Sequence, residues 1–386
     1  MSYQFKRQSA TKLHPNMLIQ QIEIRLLDLP LHQPFAAAHG TTSTREIVVV
    51  NVETDSGTGW GECSALPEPT YTSEFAVGAF VILEEELAPR LIGHDLDPHQ
   101  IIDRLSVTYG NPMAKASLEM ALLDAQLRSD GLSLASWIGA EVSDIEAGAV
   151  VGLGEMKSVM AEIGALVDDG FNRIKMKIKP GHDIKPVSAV VSMFPNVDIH
   201  VDGNGSFDDE SLDLLVAMSS VGIGAIEQPF PIDRFDLAVK LIERASVPIV
   251  ADEAATSPDA IALLVQKGAM SALAIKPPRI GGILTALHLH DLCIDWSIAA
   301  TMGGMLETGL GRHCLAALGA LPAFTLTGDV SPASRWLAAD PWNDVEMING
   351  RIIVPSVPGI AGTPDSELLD QFTTRRSVVE LKPGQH

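Results

Sequence analysis

Apolar and polar residues alternate along this chain in two registers. Over Leu18–Leu27 and again over Glu46–Glu53 they follow the two-residue period of a strand; the second run is strongly β-branched, and Asp55–Gly57 turns it into Thr58–Glu62. These segments predict an antiparallel meander. Polar, glycine-bearing His39–Arg45, between the first two strands, is read as a mobile surface loop, and Cys63–Thr72 as a second loop with Pro67, Pro69 and Tyr71 as anchors. Over Asn111–Asp130 the period becomes helical. Ala114, Leu118, Ala121, Leu122 and Ala125 recur at helix spacing, their small side chains predict close packing against other helices, and Gly131 ends the run. Strands followed by helices make residues 17–140 an α+β domain.

From Ile145 the pattern changes to strict alternation of strand and helix. Eight apolar runs read as strands: Glu146–Val151, Arg173–Ile178, Val197–Asp202, Gly222–Glu227, Pro248–Asp252, Ala272–Lys276, Trp296–Thr301 and Phe324–Gly328. Eight parallel strands at this spacing favour a closed (β/α) barrel over an open sheet, covering residues 141–335. Asp329–Arg335 does not continue as a crossover helix, so the eighth helix is expected to be missing. In the tail, 336–386, Met347–Val354 reads as a hairpin turning at Asn349-Gly350, and the Pro-rich remainder is expected to return to the first domain.

Charges interrupt the barrel strands at a regular interval. Lys177, Asp202, Glu227, Asp252 and Lys276 are separated by 25, 25, 25 and 24 residues, each in its own apolar run. A buried charge is costly unless it is paired or binds a metal, so five such positions in successive strands are expected to converge. They stand at the C-terminal strand ends, where barrel active sites lie. Asp202, Glu227 and Asp252 would offer three oxygens to Mg²⁺ or Mn²⁺; with no His or Cys beside them, zinc is disfavoured.

Lys175 and Lys177 point the same way from one strand, and Lys276, four strands on, faces them across the axis. Neighbouring ammonium groups and a cation make protonation costly, so a lysine here is expected to act as a base near neutral pH. Bases on both sides of a metal-chelated carboxylate suit abstraction of its α-proton, with the cation stabilising the enediolate. Glu253 is expected to pair with a lysine, Lys276 being the candidate. His200 is read as a hydrogen-bonded barrel histidine, and His288 and His290 as structural. Gly281-Gly282 lacks the spacing of a nucleotide loop.

With 386 residues, 46% hydrophobic and 20% charged, the chain has the length for a barrel plus a second domain. Its formal charge of -22 leaves no basic stripe for nucleic acid, and no apolar run reaches the ~18 residues of a membrane helix. Three widely spaced cysteines, Cys63, Cys293 and Cys314, imply neither a disulfide framework nor a zinc knuckle and fit a reducing cytoplasm. Residues 1–16 are polar and basic without an apolar core and are read as a flexible extension.

The ordered set Lys175-x-Lys177, Asp202-x-Asn204, Glu227-Gln-Pro229, Asp252-Glu253 and Ile275-Lys-Pro277 resembles the enolase superfamily, in particular its muconate-lactonizing branch. Sites of that superfamily are a known example of a lysine base working with Mg²⁺ on an enediolate, so the resemblance implies the same chemistry independently of the spacing. Arg173–Gly181, Ile275–Gly282 and Gly303–Arg312 resemble the group of N-succinylamino acid racemases and o-succinylbenzoate synthases.

That resemblance implies a (β/α)7β TIM-like barrel with an N-terminal α+β capping domain completed by the C-terminal tail. It implies Lys177 and Lys276 as the acid/base pair, Lys175 as an accessory toward the substrate carboxylate, and Asp202, Glu227 and Asp252 as Mg²⁺ ligands backed by Asn204 and Glu253. Arg279 matches an arginine associated with racemisation, Gly304 and Met305 would lie against the succinyl arm, and the His39–Arg45 and Cys63–Thr72 segments resemble lid loops. Pro278, Val150 and His313-Cys314 depart from the group's usual residues and are read as flanking the substrate. The implied outcomes are dehydration to o-succinylbenzoate in menaquinone synthesis, racemisation of N-succinylamino acids, or both. The alternatives are dipeptide epimerisation, muconate-type cycloisomerisation and, in another class, a non-catalytic ligand-binding barrel. A small-molecule carboxylate substrate and self-association into a homo-oligomer are expected.

Overall fold

A computed structural model describes residues 16–37 and 40–381; the expected extension up to residue 15, and His39, lie outside them. The N-terminal part is a sheet with a long helix on it. Strand Met17–Ala37 pairs antiparallel with Gly40–Thr54 on one side and with Thr373–Glu380 on the other, and Thr58–Cys63 extends the sheet.

The β-branched run of the second strand is apolar on both faces because both are covered. Val48, Val50 and Val52 enter the core of this cap, while Ile47 and Val49 join the main core shared with the barrel. The small residues of helix Pro112–Ser129 receive a strand, where close packing against helices was expected. A Cβ on Gly59 would stand 2.2 Å from Ala121 O, and one on Gly61 1.9 Å from Ser117 O. Only glycine permits that backbone approach.

The segment expected to be a surface loop between the first two strands is strand from Gly40 onward, in register with the first strand through Ala37↔Gly40 and Leu29↔Arg45. Arg45 is fully buried, and its guanidinium donates to the carbonyls of Ser64, Ala65, Met305 and Leu306. Arg45 can be interior although it is polar, because its guanidinium satisfies carbonyls of two loops.

Seven strands form one parallel sheet in sequential order: Gly148–Val151, Arg173–Lys177, Asp198–Asp202, Ala225–Glu227, Ile249–Ala251, Ala272–Ile275 and Ala299–Met302. The stretch expected to be the eighth strand makes a single parallel bridge, Leu326 to Thr301. It is nevertheless bonded toward both edges of the sheet. Leu326 N and Asp329 N donate to Ala300 O and Met302 O, and Gly148 N donates to Val330 O. A short 3-10 turn, Ala333–Arg335, follows in place of a helix.

Two strand boundaries differ from those expected. Asp144–Glu146 leaves the barrel to pair with Arg351–Ile353, so the first barrel strand starts at Gly148. Trp296 ends the preceding helix, and the seventh strand starts at Ala299. The hairpin turns at Asn349 (φ 50°) and Gly350 (φ 75°), the left-handed pair that a two-residue turn requires. Beyond it the tail enters the cap sheet as the edge strand Thr373–Glu380, after helix Ser366–Phe372.

Candidate active site

Parallel pairing converts the sequence interval into a row. Lys177 is in register with Asp202, and Asp202 with Glu227. Asp252 and Lys276 follow one residue beyond the ends of the next two strands. Asp202, Glu227 and Asp252 are all buried, and each offers a carboxylate oxygen within 4.8 Å of the other two. Three hard oxygens without a nitrogen or sulfur donor fit a cation such as Mg²⁺ or Mn²⁺.

Local contacts fix the strand ends that carry these carboxylates. Asn204 N donates to Asp202 Oδ1 at 2.9 Å, and the backbone N–H of Asp252 donates to Gln228 Oε1 at 3.0 Å. Gln228 itself sits at φ 34°, held by its side-chain amide on Phe230 O at 2.8 Å. The side chain of Asn204 donates to Glu253 Oε1 at 2.7 Å. The expected Glu253–Lys276 ion pair is therefore replaced by an amide contact, because Lys276 is already taken by Asp252. Burial, with Asp252 and Asp202 nearby, pushes Glu253 up to about 7.

Each carboxylate of the triad has a lysine within hydrogen-bond distance, and Asp202 has Lys175 as a second cation at 3.6 Å. Lys177 Nζ lies 2.8 Å from Asp202 Oδ2, Lys276 Nζ 2.7 Å from Asp252 Oδ2, and Lys175 Nζ 2.7 Å from Glu227 Oε1. Arg279 Nη1 takes the other oxygen of Asp252 at 2.5 Å. Burial alone would raise Asp252, but Lys276 and Arg279 outweigh it and hold the carboxyl far below its usual range. Glu227 has Lys175 against the charges of Asp202, Asp252 and Asp329; burial is the larger effect and pushes it up to about 8. A divalent cation among the three would relieve that repulsion.

Lys175 is not tuned toward neutrality. Burial lowers its affinity for the proton, yet Asp329, Glu227 and Asp202 outweigh burial and keep it an ammonium well above the ordinary range. Its second anchor is Asp329 Oδ2 at 2.6 Å, and Arg173 Nη1 holds the other oxygen of Asp329 at 2.5 Å. Neither Asp329 nor Arg173 stands among the site residues expected from the sequence. Both carry a signal: Asp329 directly follows the eighth apolar run, and Arg173 has the same strand parity as Lys175 and Lys177.

His200 lies below this row as a hydrogen-bonded histidine. Arg173 donates to Nδ1 and Asp198 Oδ2 sits 2.9 Å from Nε2. His290 takes Ala323 N at 3.1 Å and is structural. Tyr71 reaches in from the cap: its Oη is 2.8 Å from Lys276 Nζ and 3.1 Å from Asp252 Oδ2, and Arg279 Nη1 also donates to it. Gly303 makes room for the Lys276 stem, since a Cβ there would stand 2.6 Å from Lys276 Cγ.

Gly304 lies beside the site. A Cβ on it would come within 3.1 Å of Arg312 Nη1 and 3.2 Å of Asp329 O. The side chain of Met305 packs into the cap core. Pro278 and Cys314, expected to flank substrate, line a cavity of about 20 Å³ between cap and barrel together with Glu62, Ala116, Met120 and Glu307.

Residues 21–139 match the family described as Mandelate racemase / muconate lactonizing enzyme, N-terminal domain, and residues 158–368 match Enolase C-terminal domain-like. The chain is 36% identical to an N-succinylamino acid racemase of an Amycolatopsis species over 363 residues, 93% of this chain and 99% of that one. It is 33% identical to the o-succinylbenzoate synthase of Bacillus subtilis, over 93% of this chain and 98% of that one. Among solved structures, an enolase superfamily member from Listeria innocua superposes with a TM-score of 0.90 at 32% identity, covering 95% of this chain and all of the other.

Proposed function

This chain belongs to the mandelate racemase / muconate lactonizing enzyme family of the enolase superfamily, and from that premise we propose that it binds Mg²⁺ through Asp202, Glu227 and Asp252 and removes the proton α to a substrate carboxylate. The substrate class is an N-succinylamino acid, the cyclohexadiene precursor of o-succinylbenzoate, or both, since relatives of each kind align along nearly the whole chain. One observation carries the reading. Three mutually close buried carboxylates are flanked by Lys177 on Asp202 and Lys276 on Asp252, at opposite ends of the row.

When bound, the cation neutralises charge that develops on the substrate carboxylate as the proton leaves. The chain's own residues supply the rest. Lys177 takes the proton from one face, and Lys276 returns one to the other, which inverts the centre. In a dehydration one of the two is the base and the other offers fixed positive charge. Lys175, held as an ammonium between Glu227 and Asp329, supplies charge toward the carboxylate and does not exchange protons. The eight-stranded (β/α)7β count, with 324–328 as the closing strand, and the cap made from residues 17–140 with the tail, belong to the same proposal.

The test is proton NMR in D₂O with Mg²⁺ and each enantiomer of N-succinylphenylalanine, together with turnover of the cyclohexadiene. Loss of the α-proton signal from both enantiomers, stopped by EDTA, is the expected result for racemisation. Dehydration without exchange would make the protein a dedicated synthase. Inactivity toward both would defeat the substrate assignment, and exchange that survives EDTA would defeat the role of the triad.

A further inference from the structure

The two lysines of the row are held differently. Lys177 Nζ has Asp202 Oδ2 at 2.8 Å, an acceptor within the barrel. Lys276 Nζ has two acceptors from different parts of the molecule: Asp252 Oδ2 at 2.7 Å in the barrel and Tyr71 Oη at 2.8 Å in the cap. The Lys276 ammonium also lies 4.8 Å from the centre of the Tyr71 ring. Tyr71 is in turn fixed by its contact with Asp252 Oδ2 at 3.1 Å and by the guanidinium of Arg279. A phenol has one proton, so Tyr71 donates to Asp252 and accepts from Lys276 and Arg279.

A lysine nitrogen bonded to Cε and to two fixed acceptors has one remaining tetrahedral direction. In the free amine that direction carries the lone pair. Asp252 alone would leave Lys276 free to rotate about a single hydrogen bond, whereas Asp252 and Tyr71 together fix where the fourth direction points.

We propose that Tyr71, reaching down from the cap, is a positioning residue for Lys276 and not for Lys177, so that it sets proton transfer on one face of the substrate and leaves the Lys177 face largely unaffected. The inference rests on the function proposed above. In the step it governs, the α C–H bond breaks, its proton passes to Lys276 Nζ, and its electron pair passes into the substrate carboxylate; the reverse transfer delivers a solvent deuteron. Because a misplacement of about 1 Å can cost about 100-fold in rate, loss of one of two anchors is expected to be visible on that face only.

Tyr71→Phe removes the hydroxyl and keeps the ring. Initial α-proton exchange in D₂O is measured separately for the two enantiomers of N-succinylphenylalanine, in the unaltered enzyme, in Tyr71→Phe, and in Lys177→Ala and Lys276→Ala to assign the faces. The expected result is a fall of about 10- to 100-fold for the enantiomer whose proton faces Lys276, with the other within about twofold. Since the Lys177 face reports folding and metal loading in the same sample, equal loss on both faces means a general defect and overturns the proposal. Unchanged rates on both faces overturn it as well. If the unaltered enzyme exchanges neither enantiomer, the underlying reaction is overturned and this assignment falls with it, an outcome distinct from a symmetric response of Tyr71→Phe.

Discussion

Two clusters of buried charge lie close together in this protein and use their charges differently. At the strand ends, Asp202, Glu227 and Asp252 are opposed by the side-chain cations Lys177, Lys175, Lys276 and Arg279. Between cap and barrel, the carboxyl groups of Glu62 and Glu119 face backbone N–H groups and, for Glu62, hydroxyls. Glu62 of the cap accepts from Thr308 Oγ1 at 2.5 Å, Thr308 N at 3.2 Å and Gly311 N at 3.3 Å, at the start of helix Gly309–Gly319. Glu119 of the cap accepts from Leu284 N at 3.0 Å, at the start of helix Ile283–Trp296.

A carboxylate there satisfies helix N–H groups that have no partner within their own helix. The two arrangements teach that burial of a charge does not by itself mark chemistry. Backbone donors are fixed, so the interface carboxylates fasten one body to another. Carboxylates grouped about a common point can take a metal beside their lysines, so the strand-end cluster keeps a capacity for ligands.

The largest expected effect tests the strand-end cluster. Glu227→Gln should lower α-proton exchange by about 1000-fold or more, the scale of losing a principal electrostatic element, and abolish Mn²⁺ binding seen by electron paramagnetic resonance. Its thermal midpoint in EDTA should stay level or rise, because the change removes one of several mutually repelling carboxylates. A large drop in stability would show that Glu227 is a fastener like Glu62, and the contrast would dissolve.

The interface should behave in the opposite way. Glu62→Ala leaves several buried donors without an acceptor and is expected to cost about 2–3 kcal/mol in denaturant unfolding. Metal binding by the folded protein should persist. Unchanged stability would mean that Glu62 does not fasten the cap.

The smallest effect concerns pH. Burial pushes Glu62 up to about 7, with Glu307 adding to it, and pushes Glu119 up to about 8. Each binds its proton more tightly folded than unfolded, so its contribution is fully present below the unfolded value of about 4.5 and is lost as pH rises through 7 to 8. The thermal midpoint should therefore decline from about pH 5 to about pH 9 more steeply in the unaltered protein than in Glu119→Gln. Parallel curves would remove Glu119 from the explanation.

Much of the strand-end cluster is readable in the sequence because parallel strands repeat. A charge every 25 residues in apolar runs leaves few geometries other than convergence, and register pairing produces it for Lys177, Asp202 and Glu227. Asp329 is harder to read because its strand is reduced to one bridge, so its sequence carries little strand signal. Gly40–Arg45 misleads for a related reason: a polar ribbon and a loop have the same composition. What makes Arg45 interior is, besides the carbonyl of its neighbour Glu46, a set of carbonyls from residues 64, 65, 305 and 306, distant from it in the chain.

The alternation that builds the sheet, the triad and the lysine on either side of it can be read from the chain alone, since they follow from local period and the cost of burying charge. Only the tertiary structure decided which cation each carboxylate holds, that Glu253 meets Asn204 rather than Lys276, and that Tyr71 crosses from the cap to Lys276. Those choices depend on distances between segments up to 205 residues apart, and no periodicity along a chain encodes the direction in which two separately folded segments meet.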